Sequence, residues 1–439
     1  MISRADEPIH SAVPPAPAVA VTPSTLVHRD GNVLRWLIAY TFSVVGDAAY
    51  FVALGWAAQK VAGPAQVGLV MAVGAIPRAI LMLGGGVIAD RFGPRRVVIS
   101  SDAVRAVVIL AAAAALAFST PGLWLLVALA LVFGVVDALF MPAVGAMPPR
   151  LTGRDQLMRV QSLRNLVQRS GHIAGPPLAG FSMGLGGPAA AFAATGVLFT
   201  LSLFLLVAVR LAPLPPEEQP AADSTARRDL VEGIVYLRHE PVVGPLVLSG
   251  LLSMIGCIPP MAIGVIMLAE ERGWGPSGGA WVNAALSTGV CTTSLLLIVR
   301  GRFPRAGHWH NIALLVASAG IGLIGVMPNL ALAVAVALAS GLVSGLCGGL
   351  ALALMQANTA LAFQGRVASV QALSAVGITP VMFPLFGLLV EGWGAGPTFL
   401  LFGCISMLGA TVSTASHAVR HADLDFTKLA VTPAPGRGR

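Results

Sequence analysis

Charged side chains lie inside long apolar stretches of this 439-residue chain. The deep ones all fall in the first half of the sequence: Asp47, Arg78, Asp102, Arg105, Asp137, Arg164 and Arg169. An ionised side chain at bilayer depth costs about 2.5–3.5 kcal/mol on insertion scales, so such residues are candidates for function by default. Burial favours the neutral form of a carboxylate, whereas a nearby arginine favours its charged form. A carboxylate subject to both influences can take up and release a proton as its surroundings change.

Asp47 and Asp137 are the predicted proton-binding acids, with Asp47 first. Asp47 lies near the middle of its apolar stretch and Arg78 near the middle of the next, so we expect these two side chains to meet. Asp102 and Arg105 are three residues apart, which places them on one helix face and predicts a structural pair. The alternative for the whole set is an ion network that only holds helices together.

A ligand cavity is predicted between the two halves of the chain. Arg164 and Arg169 are the candidate contacts from the first half. Gln356 and Asn358, polar residues in a largely apolar part of the second half, are the candidates there. The deep charged residues of the first half include slightly more arginines than aspartates. A site with this small positive excess would tolerate a neutral or an anionic ligand.

A polar segment joins the second and third apolar stretches. Its notable residues are Gly86, Asp90, Arg91, Gly93, Arg95 and Arg96. Gly86 permits close approach of neighbouring helices, and Gly93 permits a tight turn. Asp90 at a helix end is a partner for an arginine of the segment or for a helix N-terminus in the other half. The segment is predicted to latch one face of the protein, although its arginines could instead serve only to fix membrane orientation.

The fifth apolar stretch is rich in glycine and proline. Gly171, Gly175, Pro176 and Gly180 predict a kinked helix that packs closely on its neighbours, as small residues do in bilayers. His172 lies within this run and could titrate, but we expect it to be packed and neutral.

The composition predicts a membrane protein with many spans. Hydrophobic residues make up 56% of the chain and charged residues 10%, whereas soluble domains carry about 25% charged residues. Twelve apolar stretches are each long enough for a transmembrane helix. If alternate loops lie on opposite sides, only Lys60 and Arg272 of the 27 lysines and arginines fall in outer loops, which predicts cytoplasmic termini. The net charge of +8 therefore sets orientation and does not indicate nucleic acid.

The two halves of the chain repeat each other. A shift of 207 residues aligns Gly134 with Gly341 and Pro177 with Pro384. This predicts two similar six-helix bundles around a central site. The predicted division is a disordered cytoplasmic tail over 1–33, bundles over 34–209 and 243–418, a cytoplasmic linker with an amphipathic helix over 210–242, and a second cytoplasmic tail over 419–439.

The segment from Gly86 to Arg96 resembles the loop signature of the major facilitator superfamily, and the resemblance extends over nearly all twelve stretches. The run from Gly171 to Gly180 is similar to the antiporter motif of drug-exporting members, which usually ends on a Gly pair where this chain has Ala179 and Gly180. These features resemble the drug:proton antiporter branch. The resemblance implies an all-α membrane protein with twelve transmembrane helices in two pseudo-symmetric bundles.

The resemblance also implies proton-coupled antiport that exports a small, largely apolar organic compound, such as a drug, a natural product or a siderophore. The expected partners are that substrate, protons and the lipid bilayer, with a monomer in the cell membrane. No cofactor, metal or enzymatic activity is expected, and the four cysteines have no metal-like spacing. Two alternatives stay open: a proton-coupled uptake symporter, and a sensor or scaffold that binds a ligand without moving it.

Overall fold

The computed structural model describes residues 30–119, 122–152, 154–210, 226–300, 305–360 and 363–422. This part of the chain is helical and contains no strand. Nearly all of both predicted tails and much of the predicted linker lie outside the described residues.

The first half of the chain forms six helices. They are α1 (Gly31–Val61), α2 (Pro64–Phe92), α3 (Pro94–Phe118), α4 (Leu123–Gly145), α5 (Pro148–Leu151) and α6 (Arg154–Ala208). The linker contributes α7 (Ala226–His239). The second half forms α8 (Val243–Pro259), α9 (Val265–Glu271), α10 (Gly275–Arg300), α11 (Ala306–Ile324), α12 (Leu330–Asn358), α13 (Gln364–Trp393), α14 (Ala395–Ala415) and α15 (His417–Arg420). One π-helical turn, Pro260–Gly264, joins α8 to α9.

Ten helices of the described chain are long and apolar enough to cross a membrane. One of them, α6, is broken at Gly186 and Gly187, where the φ of 67° at Gly187 favours glycine. The break falls between the predicted fifth and sixth stretches, 163–183 and 189–209, so α6 is long enough for two crossings. A shorter apolar segment of α13, Gly377–Trp393, is a further candidate. Twelve crossings are consistent with these helices, and the chain is a multi-pass membrane protein.

The helices pack as two bundles, which we call the first and second lobes. In the first lobe α1 packs on α6, α2 on α4, and α3 on both α4 and α6. In the second lobe α8 packs on α14, α10 on α12, and α11 on both α12 and α14. The lobes meet where α2 contacts α13 and where α6 contacts α10.

Glycines allow close helix contacts within each lobe. A Cβ atom on Gly134 of α4 would overlap the carbonyl oxygen of Gly74 in α2. In the second lobe, a Cβ on Gly341 of α12 would overlap the carbonyl oxygen of Leu286 in α10. Gly134 and Gly341 are aligned by the sequence repeat, so the same close contact occurs in both lobes. Because glycine has no side chain at these contact points, the helix backbones come close enough for dispersion and backbone contacts to hold them together in lipid.

Replacing Gly134 with alanine is expected to lower the free energy of unfolding by about 1–3 kcal/mol, because the added methyl group overpacks a backbone contact. The same change at Gly145 is a matched control on α4, because a Cβ there meets nothing within 4 Å. Thermal unfolding of the two purified variants in detergent measures the difference. Equal melting temperatures would show that the α2–α4 contact can relax at no cost.

The two ends of the structure differ in how the lobes meet. We name them the Gly93 end, which holds the α2–α3 turn, and the Gly394 end, which holds the α13–α14 turn. At the Gly394 end one apolar cluster includes residues of both lobes, with Trp56 beside Gly279 and Gly55 beside Ile266. Near the Gly93 end the buried apolar residues form a separate cluster in each lobe. The lobes are therefore packed together at the Gly394 end.

A carboxylate also joins the lobes at the Gly394 end. Glu391, in the last turn of α13, accepts a hydrogen bond of 3.3 Å from the backbone N–H of Ala65 at the start of α2. The first turn of α2 has no acidic residue of its own, and its N-cap Gly63 has no capping side chain. The negative charge that a helix N-terminus favours is therefore supplied to α2 by the opposite lobe.

The predicted amphipathic helix of the linker coincides with α7, which packs on the second lobe. The Tyr236 ring stacks on Phe363 with centroids 4.3 Å apart, and Glu232 pairs with Arg366 at 2.8 Å. This fixes the linker to the start of α13.

Candidate functional site

A cavity of about 620 Å³ lies between the lobes near mid-depth. Its wall is largely apolar and aromatic, with the charged residues Asp47, Arg78 and Asp137 on the first lobe. On the second lobe the polar lining residues include Asn283 and Ser287 of α10. The shared apolar cluster closes the Gly394 end, so the cavity faces the Gly93 end, where the lobes have separate clusters.

Arg105 on α3 connects the acids of the first lobe. Its side chain is fully buried, and its guanidinium contacts Asp137 directly. The Nη1 atom lies 3.5 Å from Asp47 Oδ2 and 3.4 Å from Asp102 Oδ1. Phe140 lies under the guanidinium, with Cζ 4.0 Å from the ring centroid. Three carboxylates from three helices therefore share one arginine.

Asp102 is the fixed member of this group. Its Oδ2 accepts hydrogen bonds of 2.6 Å from the hydroxyls of Ser43 and Ser202, and its side chain is fully buried. It is not among the described residues that line the cavity. The geometry suits a structural partner of Arg105.

Asp47 is the least compensated acid of the group. Its single ion pair, with Arg105, is long at 3.5 Å, and its Oδ1 atom is buried without a hydrogen-bond partner among the described residues. Its side chain keeps 20% of its exposure and lines the cavity. Asp137 is held more firmly, because Arg78 lies 3.6 Å from its second oxygen while Arg105 contacts the first. Asp47 is therefore the acid best placed to gain a proton from the cavity.

The sequence of this helical chain matches a known protein family. Residues 36–384 match the family model described as Major Facilitator Superfamily. The chain belongs to the major facilitator superfamily. It is therefore a transporter and not an enzyme.

Relatives and solved structures agree with this assignment. The enterobactin exporter EntS of Shigella boydii is 27% identical over 309 residues, which cover 69% of this chain and 71% of that protein. The nucleoside transporter NupG has a TM-score of 0.64 at 12% identity, over 88% of this chain and 99% of that chain. A bacterial homologue of the human lysosomal transporter Spinster, in an inward-facing and occupied conformation, has a TM-score of 0.67 at 13% identity, over 90% of this chain and 97% of that one. At such low identity the two structures show a shared fold only.

The ion pairs of this superfamily member differ from those expected from its sequence. Arg78 pairs with Asp137 and not with Asp47, and Arg105 takes the place opposite Asp47. The cause is the contact between Gly74 and Gly134, because α2 and α4 run parallel and Arg78 and Asp137 each follow their glycine by about one turn. Arg105 does pair with Asp102 as predicted, but it also binds the two acids of the cavity wall.

Arg164 and Asn358, two of the residues predicted to line the substrate cavity, make hydrogen bonds within their own helices. Arg164 donates to Gln161 at 3.1 Å, and Asn358 donates to its own helix at the carbonyl of Leu354. Neither they nor Gln356 are among the described residues of the cavity wall, and the Arg169 side chain lies outside the described part. Their role in substrate binding stays a prediction. His172, expected to be packed, instead lines the cavity with an exposed side chain.

The polar segment of the superfamily signature forms the tight α2–α3 turn. Gly93 has a φ of 85°, which favours glycine. Arg95 donates to the carbonyls of Val207 and Val209 at 2.7 Å each, so it caps the end of α6 in its own lobe. Arg91 and Arg96 are exposed. Gly86 and the Asp90 side chain lie outside the description, so the predicted latch stays a prediction.

The glycines of the fifth stretch lie at two different interfaces of α6. Gly171 and Gly175 pack on α1 within the first lobe, against Val44 and Ala48. Gly180 packs across the lobes, where a Cβ would come within 2.5 Å of Ala280 Cβ. Pro176, between them, lines the cavity. The motif therefore packs α6 on α1 within the first lobe, and it helps close the Gly394 end by packing α6 on α10 of the second lobe.

Replacing Gly180 with valine is expected to open the Gly394 end, because the new side chain collides with α10 of the second lobe. Gly184 to valine is the matched control on the same helix, since a Cβ there meets nothing within 4 Å. The measurement is the reaction of a cysteine at Ile266 with a membrane-impermeant maleimide, in a background without the four native cysteines. We expect about a fivefold faster reaction in the Gly180 variant, equivalent to about 1 kcal/mol of population shift. Equal rates in both variants would show that Gly180 does not hold this end closed.

Proposed function

We propose that this transporter exports a small, largely apolar organic compound in exchange for protons. The observation that carries the proposal is the sharing of Arg105 by Asp47 and Asp137, both of which line the cavity. A proton on Asp47 would remove one of the three negative charges around Arg105. Because the pairing of these helices depends on that charge balance, proton binding and lobe arrangement would be coupled.

The direction of transport is proposed from three supports. The distribution of arginine and lysine supports an orientation in the cell membrane with the Gly93 end and both termini in the cytoplasm. The cavity faces that end, so the compound would enter from the cytoplasm. The 27% identical relatives are named as enterobactin exporters, which makes a siderophore the first substrate to test.

The transport cycle follows from alternating access of the two lobes. The compound binds in the cavity while Asp47 is charged, and the lobes then close at the Gly93 end and part at the Gly394 end. A proton from outside binds Asp47 after the compound leaves, the protonated protein returns, and Asp47 then releases the proton to the cytoplasm. A ligand drives such a cycle only if it binds the two conformations with unequal affinity. The compound must therefore bind more tightly when Asp47 is charged than when Asp47 carries a proton.

The test uses everted membrane vesicles with an acidic interior, in which the Gly93 end faces the medium. Addition of enterobactin should release protons from the lumen, measured as recovery of the fluorescence of an acridine dye. Vesicles without the protein are the control. Proton movement into right-side-out vesicles together with inward accumulation of enterobactin would instead favour the uptake symporter. Binding of enterobactin without any flux would favour the sensor.

A further inference from the structure

Two polar side chains on the second-lobe wall of the cavity have no role in the proton site. Asn283 and Ser287 are four residues apart on α10, so they share one helix face. Both line the cavity opposite the charged residues of the first lobe. Most other second-lobe residues of the wall, including Ile258, Met261 and Leu286, are apolar, and Thr379 is a further polar residue there. Both side chains are half-buried, so water in the cavity can bond to them, and a substrate that displaces this water must offer hydrogen-bonding groups in its place.

Ser287 lacks a bond that many hydroxyl residues of the membrane helices make to their own helix. A serine or threonine in a helix commonly donates back to the carbonyl four residues earlier. In this protein such bonds are made by Thr41, Thr195, Thr200, Thr292, Ser318, Ser340, Ser374, Thr398 and Thr414. Ser287 has no hydrogen bond of this or any other kind within the described residues. Its hydroxyl is therefore available to a molecule in the cavity.

Asn283 likewise lacks a hydrogen bond of the kind that two other asparagines make within the protein. The amide of Asn358 donates to the carbonyl of Leu354 one turn earlier, and that of Asn311 accepts from Ser413. The Asn283 amide has no such bond to the described part of the chain. It offers two N–H donors and one carbonyl acceptor, beside a hydroxyl that can donate or accept.

The opposite wall is largely apolar, and the half-buried Phe51 and Val52 form part of its surface. The Tyr50 and Phe133 rings stack with centroids 3.8 Å apart, and both line the cavity. A ligand that spans the cavity would meet aromatic surface on the first lobe and neutral hydrogen-bonding groups on α10.

We infer that Asn283 and Ser287 form a subsite for an uncharged hydrogen-bonding group, a hydroxyl or a carboxamide, carried by an otherwise apolar substrate. The inference rests on the proposed function and narrows its substrate class. A purely hydrocarbon compound would leave both side chains without partners. A neutral polar group also leaves the charge balance around Arg105 unchanged, so proton binding at Asp47 stays independent of the charge of the cargo.

The test compares naphthalene-2-methanol with 2-ethylnaphthalene, which have the same shape and differ by a hydroxyl in place of a methyl group. Equilibrium binding to the purified protein in detergent is measured by the fluorescence of the naphthalene ring. One neutral hydrogen bond corresponds to about a tenfold preference for the alcohol. Ser287→Ala together with Asn283→Leu should remove the preference and leave the affinity for 2-ethylnaphthalene unchanged.

Thr292→Ala is the matched control on the same helix, because that hydroxyl bonds to its own helix at the carbonyl of Thr288. It should keep the preference for the alcohol. The inference is overturned if the unmodified protein shows no preference, including the case in which neither probe binds, or if the double variant retains it. The measurement needs no pH gradient, so its failure is separate from a failure of proton coupling in vesicles.

Discussion

Replacing Asp47 with asparagine should abolish proton-driven export while the protein still folds. The amide has the size of the carboxylate but cannot exchange a proton, and it still offers an oxygen to Arg105 at the present distance of 3.5 Å. Asp102 and Asp137 continue to neutralise that arginine, so the helix packing should survive. In everted vesicles, proton release on addition of enterobactin should fall to the level of vesicles without the protein, and the melting temperature should change little.

Substrate exchange separates this prediction from a general loss of activity. An antiporter can swap labelled for unlabelled enterobactin through its loaded states without moving a proton. The neutral amide resembles protonated Asp47 and should lower the affinity for the compound, so the Asp47 variant should retain such exchange at saturating enterobactin. Glu270→Gln, which removes a carboxylate at the exposed Gly394 end, should leave both activities unchanged. Gradient-driven export at the normal rate in the Asp47 variant would remove that residue from the coupling mechanism.

Replacing Arg105 with glutamine is expected to give the largest loss of stability of any single change in the first lobe. The substitution leaves the carboxylates of Asp47, Asp102 and Asp137 around a site with no buried cation, and the side chain it removes is fully buried. Breaking a buried pair by removing one partner costs about 3–5 kcal/mol. Thermal unfolding in detergent should show this loss, and the amount of protein recovered from membranes should fall.

A second variant tests whether the loss is electrostatic. Combining Arg105→Gln with Asp102→Asn removes the most deeply buried of the stranded charges and keeps an acceptor for the hydroxyls of Ser43 and Ser202. The double variant should recover part of the lost stability. The exposed Arg420→Gln is the control for arginine loss in general. A single Arg105 variant as stable as this control would mean that the acids are compensated by other groups.

The fold could be predicted from the sequence because bilayer physics restricts a chain of this composition to few structures. The number of long apolar stretches gives the approximate number of membrane helices. Within the bilayer each stretch must satisfy its own backbone hydrogen bonds, so few conformations other than a helix are available. The break in α6 at Gly186 and Gly187 lies between two predicted apolar stretches, 163–183 and 189–209. The signature residues then identified the superfamily, because their spacing is independent of the apolar background.

The site was predicted only in part, since pairing depends on how each helix is rotated. Asp47 and Asp137 were found because an acid in an apolar stretch is conspicuous. The central position of Arg105 was missed, because its spacing from Asp102 suggested a local pair. The register of α2 on α4 decides the partner of Arg78, and Gly74 and Gly134, which set that register, were the available signal.

The second-lobe wall was predicted less well for a related reason. Gln356 and Asn358 were chosen as polar residues in an apolar stretch. Asn358, however, is the last residue of α12, and its side-chain amide donates to the carbonyl of Leu354 in the same helix. Asn283 and Ser287 had the better signal, a four-residue spacing on a single face of α10. Which face of α10 meets the cavity depends on its packing against α6 and α12, and that packing is a tertiary property.

The carboxylate of Glu391 gives the two conformations unequal electrostatic energies. While the Gly394 end is shut, this charge lies against the positive pole of α2. Once the lobes part there, the same charge is left at the negative pole of its own helix, α13, and α2 loses its counter-charge. Glu391 therefore adds to the packing that favours a shut Gly394 end, and neutralising it is a first step for investigators who wish to trap the opposite orientation for crystallography.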